Sequence, residues 1–193
     1  AVFVVLLVRL LKPFILIRFG EIRNAVIGDH FFCIELYLSE RDFYKQTSID
    51  YFYNPVNISP NEQGEILVNR NVNILWYIKY LHKVNLILPG GNSHSISFFP
   101  DGANTSNRDY KDVLVKTKPH LSFNDKEDYK GKNYLDNIGL HKDDKFVCII
   151  VRDPSYKNKH QSHYKDDWSY KDYLNSDIGL CEDAALYLAK KGI

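Results

Sequence analysis

The chain has 193 residues, a formal net charge of +1, 45% hydrophobic and 25% charged positions, three cysteines and no methionine. This length suits one domain of ordinary size, or one domain and part of a second. The composition excludes a wholly disordered, collagen-like or coiled-coil chain, and the net charge gives no argument for a nucleic-acid partner. Because the chain lacks Met and opens Ala1-Val2-Phe3, we expect an internal fragment of a longer protein.

The first 11 residues are apolar except Arg9. Such a run is too short to span a bilayer by itself, since spanning takes roughly 20 residues. It fits the tail of a membrane anchor, the apolar region of a signal peptide or a buried strand. Lys12 and Arg18 follow it and would suit a cytoplasmic flank. We expect a cytoplasmic protein, and peripheral contact of this segment with the inner face of the cytoplasmic membrane stays open.

Apolar periodicity in residues 1–100 predicts three strands, over 14–19, 49–53 and 84–88, and two helices, over 28–40 and 72–82. Gly20 is expected to end the first strand, and Pro89-Gly90-Gly91 the third. Residues 54–64 read as a loop.

The second half of the chain is more highly charged. Residues 1–100 hold 9 basic and 8 acidic residues, and the remaining 93 hold 16 of each. Residues 101–133 are therefore predicted to be a surface excursion or linker. Three elements are predicted after it: a short helix over 130–138, a buried central strand over 145–151 and a last helix over 181–191. Strands that alternate with helices predict an α/β fold with a mostly parallel sheet.

Several common binding motifs are absent from the sequence. It contains neither GxGxxG nor GxxxxGK[ST], which excludes the usual dinucleotide-binding and P-loop motifs. Cys33, Cys148 and Cys181 lack the spacing of a zinc site and are interpreted as buried thiols of a reducing compartment. His160 and His163 have no third ligand nearby, so no metal is expected.

The first candidate site is the junction over 18–30, where a strand passes through a loop into a helix. Ligands of open α/β sheets bind beyond the carboxyl ends of the strands. Gly28 would permit close backbone approach, Arg23 could meet an anionic ligand, and His30 falls in the first helical turn. The alternative is a turn glycine and a locally packed histidine.

The second candidate site is the junction over 151–156, after the strongest predicted strand. Arg152 suits a diphosphate because its planar guanidinium can bond two oxyanions, although Asp153 could simply pair with it. The aromatic side chains that follow could stack on a base or a sugar, or could dock on the core; they are Tyr156, Tyr164, Trp168, Tyr170 and Tyr173.

Two segments resemble a family of bacterial glycosyltransferases of surface-carbohydrate biosynthesis. Residues 17–38 read IRFGEIRNAVIGDHFFCIELYL, which is similar to the family's IGxxRxxRIGHxxxNxELYL. Residues 145–193 contain KFVCIIVRDPSYKNKH, WSYKDYLNSDI and AALYLAKKGI, which are similar to the family's VCFHVRDSAYL, YHDYRDSDI and AAEYLAKKGI. The two signatures keep the family's order and flank most of the chain.

The resemblance implies a GT-B-like architecture, in which two Rossmann-like domains face each other across a cleft. Residues 1–140, with a polar linker near 101–133, would form the acceptor-side domain. Residues 141–193 would begin an incomplete donor-binding domain, so the fragment is expected to be inactive alone. The expected partners are a nucleotide sugar and a glycan or lipid-linked acceptor, with no cofactor and no metal.

The resemblance also assigns roles to single residues. Gly28 and His30 match the family's RIGH motif, with Asp29 inserted between them and Val26 in place of its arginine. Arg152 matches the arginine expected on the donor diphosphate.

Asp153 and Tyr156 match the residues that follow that arginine, and Trp168, Tyr170 and Tyr173 match the next block. His30 and Asp153 are the candidate catalytic bases. The departures at Val26 and at Ile150, where a histidine is usual, keep a second hypothesis open, a non-catalytic carbohydrate-binding or scaffolding module.

Overall fold

The computed structural model describes residues 1–98, 109–155, 159 and 169–192. The chain divides into two compact units, residues 1–124 and residues 125–193. Unit 1 contains a sheet with helices on both faces, and unit 2 contains helices joined by chain without regular secondary structure. Each unit is described by itself.

Unit 1 is built on a four-stranded parallel sheet. Its strands are β1 (Ile17–Glu21), β2 (Ile49–Tyr53), β3 (Asn73–Ile74) and β4 (Ser95–Ile96). Their order in the sheet is β3-β2-β1-β4, and every pairing is parallel. The predicted α/β class with a parallel sheet is confirmed, and the strand order is consistent with a Rossmann-like fold.

Helices connect and cover these strands. They are α1 (Val2–Leu10), α2 (Ile27–Phe43), α3 (Glu62–Asn71), α4 (Ile78–Ile87) and the short α5 (Val113–Lys116), with a 3₁₀ helix over Gly91–His94. Asn61 caps α3 by accepting a hydrogen bond from the Gly64 N–H at 2.8 Å.

The alternating side chains of the strands form a core on each face of the sheet. On one face, Ile22 and Phe52 pack with Ile34 of α2 and Val68 of α3. On the other face, Phe19 and Tyr53 pack with Val8 of α1 and Ile78 of α4. Because successive strand residues point to opposite faces, one strand serves both cores.

A buried carboxylate joins three elements at the amino end of the sheet. The Asp50 side chain on β2 accepts hydrogen bonds from Nε and Nη2 of Arg18 on β1, both at 2.8 Å. It also accepts hydrogen bonds from the Tyr37 hydroxyl and from Arg41, both on α2, and from the Ser48 hydroxyl. Burial would raise the pKa of Asp50, but the hydrogen bonds from Arg18 and Tyr37 outweigh it and hold the pKa below its usual range.

Three predictions for elements in unit 1 are wrong, two in their boundaries and one in the type of element. Gly20 does not end β1 but lies within it, where a Cβ would stand 2.8 Å from the Phe52 ring. The predicted strand over 84–88 is the last part of α4 and the residue after it, with Ile87 exposed to solvent. The predicted helix over 72–82 begins only at Ile78, because residues 73–74 pair with β2.

Unit 2 contains α6 (Asp125–Asn137), two 3₁₀ helices (Ser169–Leu174 and Ile178–Cys181) and α7 (Glu182–Lys190). The last predicted helix is confirmed by α7, and the predicted helix over 130–138 is the second half of α6. The predicted strand over 145–151 is wrong: these residues have no regular secondary structure, and Ile150 is 93% exposed. A continuous apolar run forms a central strand only where neighbouring strands flank it.

The cysteines also differ from the prediction. Cys33 is buried in α2, but Cys148 is exposed and Cys181 is half-buried. The apolar neighbours of Cys148 in sequence are themselves exposed, so they do not shield its thiol.

Candidate functional site

The candidate site is a cleft at the carboxyl end of β1, beside the edge strand β4. Helix α2, which follows β1, packs on one face of the sheet, and α4, which precedes β4, packs on the other face. The cleft has a volume of about 560 Å³; it is lined by Glu21, Arg23, His82, Leu86, Asn92, Ser95, Ile96, Ser97 and Phe98.

A hydrogen bond fixes the carboxylate at the end of β1. The Tyr53 hydroxyl, at the end of the neighbouring strand, donates to Oε2 of Glu21 at 2.7 Å. Burial and the contact with Glu21 raise the pKa of Tyr53 above its ordinary value, so the hydroxyl keeps its proton. Glu21 is exposed toward the cleft, which leaves its carboxylate able to accept a proton or a hydroxyl hydrogen bond there.

His82 of α4 forms part of the wall beside this carboxylate. The residue is 8% exposed, and neither ring nitrogen has a hydrogen-bond partner among the described residues. Burial lowers the pKa of His82, while the charge of Glu21 acts in the opposite direction. Its ring meets the Tyr53 ring edge-on, with the centroids 5.8 Å apart.

Hydrogen bonds of Asn85 set the shape of the loop that closes the cleft. The Asn85 amide donates to the Gly91 carbonyl at 2.9 Å and to the Ser95 hydroxyl at 3.1 Å. Arg9 in turn donates to the Asn85 carbonyl at 2.8 Å and to its side-chain oxygen at 2.9 Å. Gly91 must remain small, because a Cβ would lie 2.1 Å from the Asn85 carbonyl oxygen.

The aromatic end of the cleft is held by ring contacts. Phe98 stacks on Phe52, with centroids 5.8 Å apart, and meets the edge of Tyr37 at 6.0 Å. An aromatic ring beside amide, hydroxyl and carboxylate groups can bind a sugar, because the ring covers the C–H face and the polar groups meet the hydroxyls.

The structure separates the residues predicted at the first junction. Arg23 lines the cleft. Gly28 is the second residue of α2 and has open space where a Cβ would be. His30 is 1% exposed, stacks on Phe31 and has two ring nitrogens without a hydrogen-bond partner among the described residues. Burial lowers the pKa of His30, and the Glu65 charge opposes this. The catalytic role of His30 stays a prediction.

The residues predicted at the second junction lie in unit 2. Arg152 is half-buried, and its carbonyl accepts the Ser176 N–H at 2.9 Å. The Asp153 carboxylate accepts the Ser155 N–H at 2.7 Å, and hydrogen bonding to Ser155 lowers its pKa. Tyr173 is exposed.

The remaining predicted aromatic residues are described only in part. Tyr156 and Trp168 lie outside the described residues, and only the backbone of Tyr170 is described, in the 3₁₀ helix Ser169–Leu174. Stacking by these side chains on a base or sugar stays a prediction.

Sequence reasoning missed Glu21 and His82. Glu21 follows Gly20, the residue predicted to end the strand. No sequence motif marks Glu21. His82 lies at the end of the helix predicted over 72–82. The sequence does not show which other elements that helix packs against. Ile17 and Phe19 alternate with Arg18 and Gly20, and Glu21 breaks that alternation, so the pattern over 17–21 gave no signal for Glu21.

Within residues 1–98, 109–155, 159 and 169–192, no group of three or more His, Cys, Asp or Glu side chains is arranged to hold a metal ion. The chain matches no protein-family model, no curated protein and no solved structure.

Proposed function

We propose that this chain belongs to a glycosyltransferase of GT-B-like architecture. It would move a sugar from a nucleotide-activated donor to a surface polysaccharide or lipopolysaccharide acceptor on the cytoplasmic side of the membrane. The observation that carries the proposal is the Glu21 carboxylate, held by Tyr53 in a cleft with hydroxyl, amide, guanidinium and aromatic groups. The two sequence signatures described above add the transferase chemistry to this cleft.

In this proposal the cleft binds the acceptor sugar. Asn92, Ser95 and Ser97 would meet its hydroxyl groups, and Phe98 would cover a C–H face. Arg23 would bind an anionic substituent, which surface polysaccharides often carry, because a guanidinium forms paired hydrogen bonds with a carboxylate or phosphate.

The proposed chemical step needs a base at the acceptor hydroxyl. The hydroxyl oxygen forms a bond to the anomeric carbon while the bond from that carbon to the diphosphate oxygen breaks. Glu21 accepts the hydroxyl proton, and Tyr53 positions the carboxylate through its 2.7 Å hydrogen bond. The leaving diphosphate carries the negative charge and needs a cation beside it, a role that the sequence resemblance gives to Arg152, so the proposed mechanism requires no metal or cofactor.

The test measures sugar transfer by the full-length protein from a panel of nucleotide sugars to oligosaccharides released from lipopolysaccharide. Glu21→Gln keeps an acceptor for Tyr53 but removes the base, so kcat is expected to fall about 100-fold or more with little change in the acceptor KM. Arg152→Ala is expected to raise the donor KM. Glu62→Gln, an exposed change at the start of α3, is the matched control.

Three outcomes would overturn the proposal. Equal kcat values for Glu21→Gln and the control would remove Glu21 as the base. Binding of oligosaccharides without transfer from any donor would replace the enzyme with the second candidate, a carbohydrate-binding module. The absence of both binding and transfer would reject both functions.

A further inference from the structure

Helix α1 exposes an apolar surface that no described residue of unit 1 covers. Arg9 is its single polar residue, and the Arg9 guanidinium is directed onto carbonyls at the end of α4. Val5 and Val8 face inward. The other large apolar side chains of the helix and of the turn after it are exposed; these are Val2, Phe3, Val4, Leu6, Leu7, Leu10, Leu11 and Phe14.

Helix α4 packs beside α1 and extends this surface. Its inward residue Ile78 is buried in the core, and its opposite side is exposed. The exposed large side chains of α4 and of the residues just before it are Trp76, Tyr77, Tyr80, Leu86 and Ile87. The exposed residues of the two helices are called the α1–α4 surface below. Large apolar side chains exposed in this number on two packed helices mark an interaction site.

The charged residues of the two helices and their flanking segments are all basic; Arg9 is bound to carbonyls at the end of α4 and Arg18 to Asp50 of β2, which leaves three lysines. Residues 1–20 and 72–94, which hold both helices, contain five of the 25 Lys and Arg residues and none of the 24 Asp and Glu residues. Lys12 and Lys83 are exposed, and Lys79 is half-buried. The rest of the chain therefore has more acidic than basic residues, so the bias is local.

We propose that the α1–α4 surface docks on an anionic lipid bilayer. Apolar side chains would enter the acyl boundary, the aromatic residues Trp76, Tyr77 and Tyr80 would lie at headgroup level, and the lysines would meet lipid phosphates. Nine residues make α1 only about 14 Å long, against a hydrocarbon core of about 30 Å, so α1 would lie in the plane of the interface.

The helix lengths agree with docking at the surface. Among the residues that the structure describes, no helix combines the length and apolar content needed to cross a membrane. This inference goes beyond the proposed transferase activity and does not depend on it.

A second copy of the chain fits the α1–α4 surface less well. In a two-fold dimer the same patch meets itself, so the lysines of the two copies would be brought together without any carboxylate from either copy's surface. Like charges at an interface oppose association, whereas anionic lipids complement them.

The experiment is co-sedimentation of the full chain with vesicles. Vesicles of phosphatidylcholine containing phosphatidylglycerol are compared with vesicles of phosphatidylcholine alone, at low and high salt. Binding is expected to be stronger to the anionic vesicles and to weaken with salt. Lys12→Gln with Lys83→Gln is expected to weaken it about 30-fold, and Phe3→Ser with Phe14→Ser to abolish detectable binding to both vesicles.

Matched controls lie on the other side of the sheet. Val115→Ser and Lys118→Gln alter exposed residues in or just after α5, which packs on α2. Both controls should bind as the parent chain does. Failure of the parent chain to bind either vesicle, or equal losses in the controls, would overturn the proposal. A dimer that Phe3→Ser dissociates, without vesicle binding, would assign the surface to a second copy instead.

Discussion

Replacing Asp50 with asparagine tests how much of the stability of unit 1 comes from one buried carboxylate. The Asp50 side chain is 2% exposed and connects β2 to β1 through Arg18 and to α2 through Tyr37 and Arg41. Asparagine has nearly the same size but is neutral, and its NH₂ group would face donors rather than acceptors. The variant therefore leaves the guanidinium groups of Arg18 and Arg41 without their counter-ion, and no other side chain is changed.

The size of the effect depends on how well water can hydrate the two arginines. Removing one partner of a fully buried ion pair costs about 3–5 kcal/mol of unfolding free energy. The side chains of Arg18 and Arg41 are 19% and 30% exposed, so they keep part of their hydration when the carboxylate is removed. We expect Asp50→Asn to lower the free energy of unfolding by about 2–3 kcal/mol, a large share of the stability of an ordinary domain.

Urea unfolding at pH 7, followed by circular dichroism, measures this change. Asp42→Asn is the matched control, because Asp42 forms an ion pair with Lys45 on the exposed surface and should leave the unfolding midpoint nearly unchanged. A loss below about 0.5 kcal/mol in Asp50→Asn, or a loss equal to that of the control, would refute the assignment of α2 packing to this carboxylate.

The pH dependence gives the same test a second readout. Since the pKa of Asp50 is lower in the folded protein than in the unfolded chain, its stabilisation is complete above the unfolded value of about 3.9. The stabilisation is lost as the pH falls from there through the folded pKa. The difference between parent chain and Asp50→Asn should therefore be constant near neutral pH and shrink below about pH 4.

Two other predictions concern residues near the cleft. Gly91→Ala would place a Cβ 2.1 Å from the Asn85 carbonyl oxygen, whereas Gly28→Ala meets nothing within 4 Å; calorimetry should show a lower Tm only for Gly91→Ala, and equal Tm values would contradict the packing argument. Burial holds the pKa of His30 below its ordinary value, so the unfolded chain binds the proton first as the pH falls below about 6.5. Stability should then decline from pH 7 toward 5, and His30→Leu should reduce that slope; an unchanged slope would show that His30 titrates alike in both states.

The local sequence pattern was sufficient to predict an element where the residues of that element alone determine which of its side chains are buried. The aromatic and β-branched run over 49–53 forms β2 at the predicted bounds, and the apolar periodicity after Gly28 lies within α2. These segments alternate or repeat at one period over their whole length, so a single conformation buries their apolar side chains.

The same reasoning failed where burial depends on distant partners. The apolar run over 84–88 satisfies both a strand and a helix period, and only packing of α4 against α1 and the sheet selects the helix. The run over 145–151 has the composition of a central strand, but strand pairing requires a neighbour that composition cannot supply. Gly20 was read as a terminator because the Phe52 ring that fills its place is 32 positions away.

The cleft shows the same limit in the candidate site. Arg23 could be predicted because it follows a strand directly, and that position alone places it near the carboxyl edge. Glu21 and His82 become neighbours only once β4 is placed beside β1 and α4 against the sheet, and nothing in residues 78–96 specifies that order. Chain order therefore predicts which residues reach an edge, but not which of them meet there.

Among the described residues of unit 1, most of the unpartnered buried polar atoms lie toward the carboxyl end of the sheet, and Ser39 Oγ, near the end of α2, is the exception. At the amino end, Asp50 accepts hydrogen bonds from four side chains. Among the described residues, buried side-chain atoms without a hydrogen-bond partner include those of Asn24 after β1, Asn54 after β2, His30 in the first turn of α2 and His82 beside the cleft.

Buried polar atoms are normally satisfied, and exceptions concentrate where a protein binds or reacts. The carboxyl end therefore carries amide oxygens and ring nitrogens without a hydrogen-bond partner among the described residues, although the Asn24 amide nitrogen donates to the Val56 and Ile58 carbonyls. A ligand with hydroxyl groups is the chemistry that would satisfy them. If oligosaccharide binding leaves the NMR chemical shifts of the Asn24 and Asn54 side-chain amides unchanged and shifts only those of surface residues elsewhere, the cleft loses this support.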